Sequence, residues 1–352
     1  MLEIFAVTNR GIEQLCAQEM AQLRDIRIQQ TAYRRVHATY SGPPHRLFAL
    51  RTVDDLFIQL GEWQGISTHR SALASIEQLA LELDLWQAQN MRQSIQPMGD
   101  APRFSVSANF VGRRNYTSEE IKVAVAKSVQ SVTGWHYSED DRQSDINLRV
   151  FIEHDHALIG MRLGNSPLYK RAYKQEHLPG SLKPTVAAAM LLLSGIKRGQ
   201  SLLDPCCGAG TILIEATVAG ARGVGGDQDV EAVAAAQRNA TAARVAIDVR
   251  AWDARHLPLP EASVDYVVSN LPWGRQVETD SALETFYRRA CAEIERVMVP
   301  QGRIVLLTSL PNLVHFATHT LEQEIPISLF GQQPVILVFG PAAEEFTLER
   351  PV

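Results

Sequence analysis

The hydrophobic rhythm of the chain changes near its middle. Before about residue 165, apolar runs of different period follow one another without a strict strand–helix order. Met1 to Thr8, with the β-prone run Ile4 to Val7, reads as the first strand. A helix-like stretch spans Gly11 to Leu23. Another spans Ser71 to Gln89, where Leu73, Ile76, Leu79, Leu83 and Leu85 fall near helical spacing. Met98 to Pro102 is turn chemistry. Phe104 to Phe110 then alternates as a strand does, and Glu119 to Thr133 is helical with Thr117 or Ser118 available as its N-cap. Asp145 to Ile152 and Ala157 to Arg162 predict a hairpin turning at His154 to His156. An order of this kind predicts an α+β module.

From Pro184 the alternation becomes strict. Expected strands are Ser201 to Leu203, Gly223 to Gly226, Val245 to Ala251, Val264 to Ser269 and Arg303 to Thr308. Helical segments separate them, notably Glu231 to Ala243 and Leu283 to Met298, so βαβ units and a parallel sheet are predicted. Ile325 to Phe330 and Pro334 to Phe339 predict a closing hairpin that adds an antiparallel strand, an ending found in Rossmann-like methyltransferases and unusual in nicotinamide-binding domains. Between the halves, Asn165-Ser-Pro167 and Leu178-Pro-Gly180 are loop chemistry bracketing Lys170, Arg171 and Lys174. The expected organisation is a module at 1–165, a basic linker at 166–182 and an α/β domain at 183–352.

Composition adds boundaries. The 352 residues suffice for two cores, and 45% hydrophobic with 21% charged residues is ordinary for a soluble protein. No apolar run is long enough to cross a bilayer, and no secretion signal is expected at the first residues. The four cysteines (Cys16, Cys206, Cys207, Cys291) lack metal-ligand spacing, so no disulfide framework or metal is expected and a reducing, cytoplasmic setting is. The net charge of −5 excludes a general basic coat but not a local basic stripe.

The sharpest local feature is Leu202 to Glu215: a strand entering Asp204, a loop with Gly208 and Gly210, and an apolar helix from Thr211. Glycines let a backbone approach a ligand closely where a strand passes into a helix. Asp204 would repel a phosphate but suit a cationic amino-acid moiety, and the loop lacks the Lys of a phosphate-binding P-loop. S-adenosylmethionine, with ammonium and sulfonium charges, fits this chemistry. Asp227, about twenty residues on, stands where an acid binds ribose hydroxyls. Asp253 after the third strand could accept from an adenine amine. Singly, each acid also reads as a helix cap or loop solvator; the ordered set of three favours a cofactor site. Cys206 and Cys207 allow a pyrimidine-C5 nucleophile, but inside a cofactor loop they are taken as packing.

After the fourth strand stands Asn270-Leu-Pro-Trp-Gly274, of the type that methylates planar amino or amide nitrogens. An exocyclic base amine is a poor nucleophile because its lone pair is delocalised. The Asn270 side-chain oxygen and the Leu271 carbonyl are candidate acceptors for its two hydrogens. Pro272 stiffens the turn, and Trp273 offers a stacking face.

These motifs resemble the THUMP-domain RNA methyltransferases, within them the tRNA guanine-N2 methyltransferase subgroup. The likeness is carried by Leu182-Lys-Pro-Thr185, Asp204 to Glu215, Gly225-Gly-Asp-Gln-Asp229 and Asn270 to Gly274, and more loosely by Phe104 to Ser107 and Gly112 to Glu120. The resemblance implies a Rossmann-like class I methyltransferase domain after a ferredoxin-like plus THUMP module. It implies S-adenosylmethionine as cofactor, near Thr185, Asp204, Cys206, Gly208, Gly210, Thr211, Asp227, Gln228, Asp253, Ala254 and Asn270. It implies methylation of the N2 of an acceptor-stem guanosine, at nucleotide six in similar proteins, with the THUMP module gripping the tRNA 3′ end. Arg113, Arg114, Lys122 and Lys127, with Lys170, Arg171 and Lys174, form the expected RNA-binding stripe; solvated surface charge is the ordinary alternative. A monomer is expected. Open alternatives are a ribosomal RNA guanine, DNA adenine or protein glutamine methyltransferase, a tRNA-binding protein without catalysis, and, more distantly, a nicotinamide oxidoreductase.

Overall fold

The computed structural model describes residues 2–99, 101–273, 280–329 and 331–342, with backbone alone at 280 and 281. Met1, Gly274 of the acceptor motif and Phe330 of the expected hairpin lie outside the described residues. The chain divides into two units, Met1–Thr8 with Cys16–Leu168 and Asn9–Leu15 with Tyr169–Val352. Among the described residues no helix is long and apolar enough to cross a membrane.

Up to Leu168 the elements are β1 (Leu2–Val7), α1 (Glu13–Met20), β2 (Ile26–Ala32), β3 (Arg35–Tyr40), β4 (Asp55–Trp63), α2 (Ala72–Leu81), α3 (Leu85–Ile95), β5 (Arg103–Val111), α4 (Ser118–Thr133), β6 (His136–Tyr137), β7 (Ile146–Glu153) and β8 (His156–Arg162). The strands form one sheet in the order β2-β3-β1-β4-β8-β7-β5-β6. Alternate residues serve different faces: Ile4 and Ala6 join the large helix-side core, while Phe5, between them, stacks on Phe57 at 5.1 Å on the other. The expected helix at 119–133 forms with Thr117 as N-cap, in a capping box completed by Glu120. The hairpin of β7 and β8 also forms where expected.

Three expectations change. The single helix over 71–89 is two, α2 and α3, because the Asp84 side chain accepts from the Gln87 amide at 3.1 Å and starts a new helix. The helix expected from Gly11 begins only at Glu13: Gly11 has φ +97°, and a Cβ there would stand 2.2 Å from the Pro326 carbonyl oxygen. The first arm of the closing hairpin lies at His319–Pro326, earlier than the expected Ile325 to Phe330. Most of that arm is exposed, so it lacks the apolar alternation that marks a strand.

The second unit carries α5 (Pro184–Ser194), β9 (Ser201–Asp204), α6 (Thr211–Val218), β10 (Arg222–Asp227), α7 (Val230–Ala243), β11 (Asp248–Ala251), β12 (Val264–Asn270), α8 (Asp280–Val297), β13 (Met298–Thr308), β14 (His319–Pro326) and β15 (Val335–Pro341). Its sheet order is β11-β10-β9-β12-β13-β15-β14. The first five of these strands are parallel; β15 pairs antiparallel with β13 and β14. The chain winds outward from β9 to β11, then returns to the other side of β9 with β12, through turns at 252–263 where the expected strict alternation called for a helix. That reversal opens a crevice at the carboxyl ends of β9 and β12, where open α/β sheets bind ligands.

Residues 9–15 belong to this unit. Ile12 is fully buried in the same core as Val186, Leu202 and Ile336. The Arg10 carbonyl accepts from the Ser328 amide at 3.1 Å, and the Lys183 ammonium donates to Asn9 Oδ1 at 2.9 Å. Ile12→Ala is therefore expected to cost the second unit about 2–4 kcal/mol. Domain-resolved urea unfolding checks it; a loss confined to the first unit's transition would contradict the assignment.

Candidate functional site

Four acidic or amide side chains end or follow successive strands of the parallel sheet. Asp204 closes β9, Asp227 closes β10, Asp253 follows β11 and Asn270 closes β12. Asp204 and Asn270 flank the crevice because β9 and β12 are neighbours, with Leu203 opposite Val267. Two residues further along β12, Ser269 is fully buried and donates its hydroxyl hydrogen to Asp204 Oδ1 at 2.7 Å.

The loop after Asp204 is held by its own backbone and by the next strand. The Cys207 amide donates to the Gly226 carbonyl at 2.9 Å, and the Gly210 amide to the Cys207 carbonyl at 2.8 Å. Gly208 donates its amide to Asp227 Oδ2 at 2.9 Å, and a Cβ on Gly208 would meet open space. Gly210 differs: with φ +77°, its added Cβ would stand 2.9 Å from that of Ala236. One glycine leaves room over the loop, and the other admits the loop against α7.

Charge follows burial. Asp204 is 1% exposed, and burial pushes its carboxyl up to about 7, against the Ser269 and Cys206 donors that favour the ionised form. Asp204, Asp227 and Asp253 all lie close enough to Cys206 to add to the burial that already raises its thiol well above the usual range; Cys207 is raised in the same way by burial and the first two acids. Burial and the neighbouring acids thus disfavour the thiolate at both sulfurs, in keeping with a packing role. Asp253 is held low by Arg255, which donates from its backbone amide, Nε and Nη2 to the two carboxylate oxygens. Ala254 is buried beside it, Gln228 is exposed after β10, and Thr185 is fully buried in the first turn of α5.

The acceptor turn is pinned at two points. The Leu271 amide donates to the Leu307 carbonyl at 3.0 Å. The Tyr287 hydroxyl donates to the Pro272 carbonyl at 2.8 Å, so the Thr308 hydroxyl, 2.6 Å away, gives its hydrogen to the tyrosine oxygen. Asn270 Oδ1 and Trp273 Nε1 are buried and have no hydrogen-bond partner among the described residues. Trp273 packs against the core that contains Val186 and Leu307.

The expected basic stripe divides between the two units, with Arg113, Arg114, Lys122 and Lys127 in the first and Lys170, Arg171 and Lys174 in the second. Arg171 and Lys174 require correction: they turn inward. Arg171 pairs at 3.3 Å with Glu215, which also accepts from the Tyr173 hydroxyl at 2.7 Å. Lys174 donates to the Leu182 carbonyl and to Thr211 Oγ1, and burial lowers its ammonium to about 8. What reads as a loose linker is a strap on the second unit, because its polar groups find buried partners there. Arg114 donates to the Tyr116 hydroxyl and to the Ser67 and His154 carbonyls. Lys122 pairs with Glu119 and Lys127 with Glu77. Arg113 and Lys170 are exposed.

Pattern reading assigned no role to four residues that build this site. Ser269 and Tyr287 act as above. Trp252 donates its indole N–H to the Pro205 carbonyl at 3.1 Å, under the loop. Asn239, fully buried, accepts from the Gln175 and Glu176 amides and donates to the Ala209 and Glu176 carbonyls, tying strap to loop. Three sit in a helix or strand whose local pattern is ordinary, and Trp252 directly after β11, so only the tertiary partner reveals the role.

Comparison with known proteins agrees with this architecture. The RMKL-like methyltransferase domain profile matches residues 171–324, and the THUMP domain profile matches 71–162. A tRNA (guanine(6)-N2)-methyltransferase of Thermus thermophilus is 31% identical over 218 residues, 61% of this chain and 64% of that protein. A U6 snRNA (guanine-N(2))-methyltransferase of Bos taurus is 31% identical over 58% of this chain and 40% of its own length. A ribosomal RNA large subunit methyltransferase K/L of Photobacterium profundum is 29% identical over 62% of this chain and 29% of its own. The chain thus spans less than two thirds of the curated relatives it matches. In fold, TrmN of Thermus thermophilus superposes with a TM-score of 0.80 at 24% identity, covering 97% of this chain and 100% of that one. SMU.472, a methyltransferase complexed with SAH, gives 0.77 at 17% identity.

The raised Asp204 carboxyl fixes the sign of a pH effect. An unfolded Asp ionises near 3.9, whereas in the fold ionisation waits until about 7. The native state therefore holds the extra proton, and stability present below pH 4 is lost as pH rises to about 7, by a few kcal/mol. Urea unfolding of the ligand-free protein between pH 5 and 8 is expected to show this slope, and Asp204→Asn to flatten it. Equal slopes in both proteins would refute the assignment.

Proposed function

We propose, for a chain whose residues 71–162 and 171–324 match the THUMP and RMKL-like methyltransferase domain families, that it transfers a methyl group to the exocyclic N2 of a guanosine in tRNA. The observation that carries this is Asn270: a buried carboxamide oxygen with no partner among the described residues, at the mouth of the crevice beside Asp204. A buried acceptor left unmade is costly, and an amine hydrogen supplies what it lacks.

The residues fit S-adenosylmethionine. Asp204 presents a buried carboxyl poised near neutrality, which a neighbouring ammonium would bring to full ionisation. Open space over Gly208 leaves room for the ligand, and Asp227 keeps lone pairs for ribose hydroxyls beyond the amides it already accepts. Asp253 is the weakest member of the set, since Arg255 occupies both its oxygens. When bound, the cofactor supplies an electrophilic methyl carbon. Asn270 Oδ1 and the Leu271 carbonyl accept the two amine hydrogens and favour a pyramidal nitrogen whose lone pair points at that carbon. The amine releases one proton to water after the N–C bond forms. The side chains at this turn offer no strong base, so orientation and desolvation carry the rate.

For the RNA, we assign the first unit, Met1–Thr8 with Cys16–Leu168, as the binding module, and the second, which takes in residues 9–15 and the strap after Tyr169 in place of the expected 183–352, as the catalytic domain. Arg113, Lys127 and Lys170, all exposed, are the phosphate contacts this reading retains from the stripe. The acceptor stem, and nucleotide six within it, follow the activity named for the Thermus thermophilus relative. A single chain in the cytoplasm is taken as the working form. A ribosomal RNA guanine is the second reading, favoured by the K/L relative.

Nucleoside mass spectrometry on unmodified tRNA transcripts, incubated with the protein and S-adenosylmethionine, is expected to yield N2-methylguanosine. Asn270→Ala is expected to abolish it while leaving cofactor affinity within about twofold. Wild-type turnover in that variant would remove Asn270 from the mechanism; product from ribosomal RNA alone would select the second reading. Asp227→Ala is expected to weaken cofactor binding about tenfold or more by calorimetry. An unchanged dissociation constant would remove Asp227 from the cofactor site.

A further inference from the structure

We propose that the Trp273 indole N–H donates a hydrogen bond to the target base, so that the turn after β12 reads an acceptor atom of the base as well as its amine. The inference rests on the nucleobase substrate proposed above and adds a specificity determinant to it.

Two buried polar atoms of opposite sense lie on this one turn without a partner among the described residues: the acceptor Asn270 Oδ1 and the donor Trp273 Nε1. The rest of the turn is held in place. Leu271 gives its amide to Leu307, and Pro272 receives the Tyr287 hydroxyl, itself fully buried and backed by Thr308. The backbone between the two atoms is thus anchored at two successive residues. A buried indole normally satisfies its N–H, as Trp252 in this unit does on the Pro205 carbonyl. Trp273 packs its ring on the apolar core, so the ring alone could be phenylalanine; the nitrogen is what distinguishes it.

A ligand that satisfies both atoms carries a donor and an acceptor. Guanine does: its N2 amine serves Asn270, and N3, O6 and N7 are candidate acceptors for the indole. Sites built around such buried groups reject analogues that leave them unpaired. A base with the amine but without the matching acceptor would therefore bind poorly, and one with the acceptor but no amine would not react.

The test is a cycle between protein and substrate. Wild-type and W273F chains are given tRNA transcripts whose target guanosine is normal or replaced by 3-deazaguanosine, 2-aminopurine riboside or 7-deazaguanosine, lacking N3, O6 and N7 in turn. One analogue is expected to lose about tenfold in kcat/KM with wild type. W273F is expected to be about tenfold slower on normal guanosine, with unchanged S-adenosylmethionine affinity, and to show no further loss on that analogue. Equal rates for W273F and wild type, or equal analogue penalties in both, overturn the inference. If W273F does not fold, the wild-type profile alone decides: no analogue losing more than twofold overturns it. If wild type methylates no guanosine, the proposed function has failed, and the indole reports separately. Its ¹⁵N–¹H resonance is then followed with guanosine, adenosine and cytidine 5′-monophosphates at millimolar concentration. A downfield shift with one of them upholds the donor role, and a static resonance with all three ends it.

Discussion

The hydrogen bond from Ser269 to Asp204 joins the carboxyl ends of the two central strands of the second unit, and the site is arranged around it. Parallel strands that meet where the winding reverses leave a crevice, and nothing in the ladder itself sets how their last side chains face each other. This bond does. It aligns the end of β9, which opens the glycine loop, with the end of β12, which opens the acceptor turn. It also compensates in part for a carboxyl that burial would otherwise hold neutral far above the usual range. A carboxyl poised near neutrality is poorly satisfied alone and well satisfied by a cation.

Around that bond some polar groups are satisfied within the fold and others have no partner among the described residues. Asn239 uses its whole carboxamide on the strap and loop, and Tyr287 and Thr308 pass hydrogens in one direction to the Pro272 carbonyl. Arg171, Glu215 and Tyr173 form a buried ionic cluster that fastens the strap near the start of α6. Such a pair gains little net energy over apolar packing, because desolvation offsets the attraction. Its effect is to place the strap in one position, since breaking it would strand a buried charge. On the turn after β12 the Asn270 oxygen and the Trp273 nitrogen have no partner among the described residues, and the proposed function assigns them to the substrate.

The strap also explains why a reading of charge along the chain misleads here. Lys170, Arg171 and Lys174 look alike in a linear stretch, yet only Lys170 is exposed. Arg171 and Lys174 meet Glu215, Thr211 and the Leu182 carbonyl, residues up to 44 positions away. In the first unit Lys122 and Lys127 pair with glutamates at the surface, and Lys127 stays exposed. Net charge is a property of composition, whereas the availability of a charge depends on what folds beside it.

What the sequence determined by itself is the alternation of strand and helix from β9 to β11 and from β12 to β13, the N-terminal start of α4, the β7–β8 hairpin and the strand-end positions of Asp204, Asp227 and Asn270. These are encoded within a few residues, through periodicity of two or 3.6, a cap, or a glycine at a strand–helix junction. Strands such as β2 and β14 escaped because partly or mostly exposed strands carry little apolar alternation, and the break between α2 and α3 because leucines continue across the Asp84 cap. Only the tertiary structure decided that residues 9–15 complete the second unit's core, that Ser269 bonds Asp204, that Tyr287 braces Pro272 and that Arg171 faces inward. Each of these depends on partners 15 to more than 300 residues apart, and a side chain's role at that range is set by which neighbour the fold brings to it.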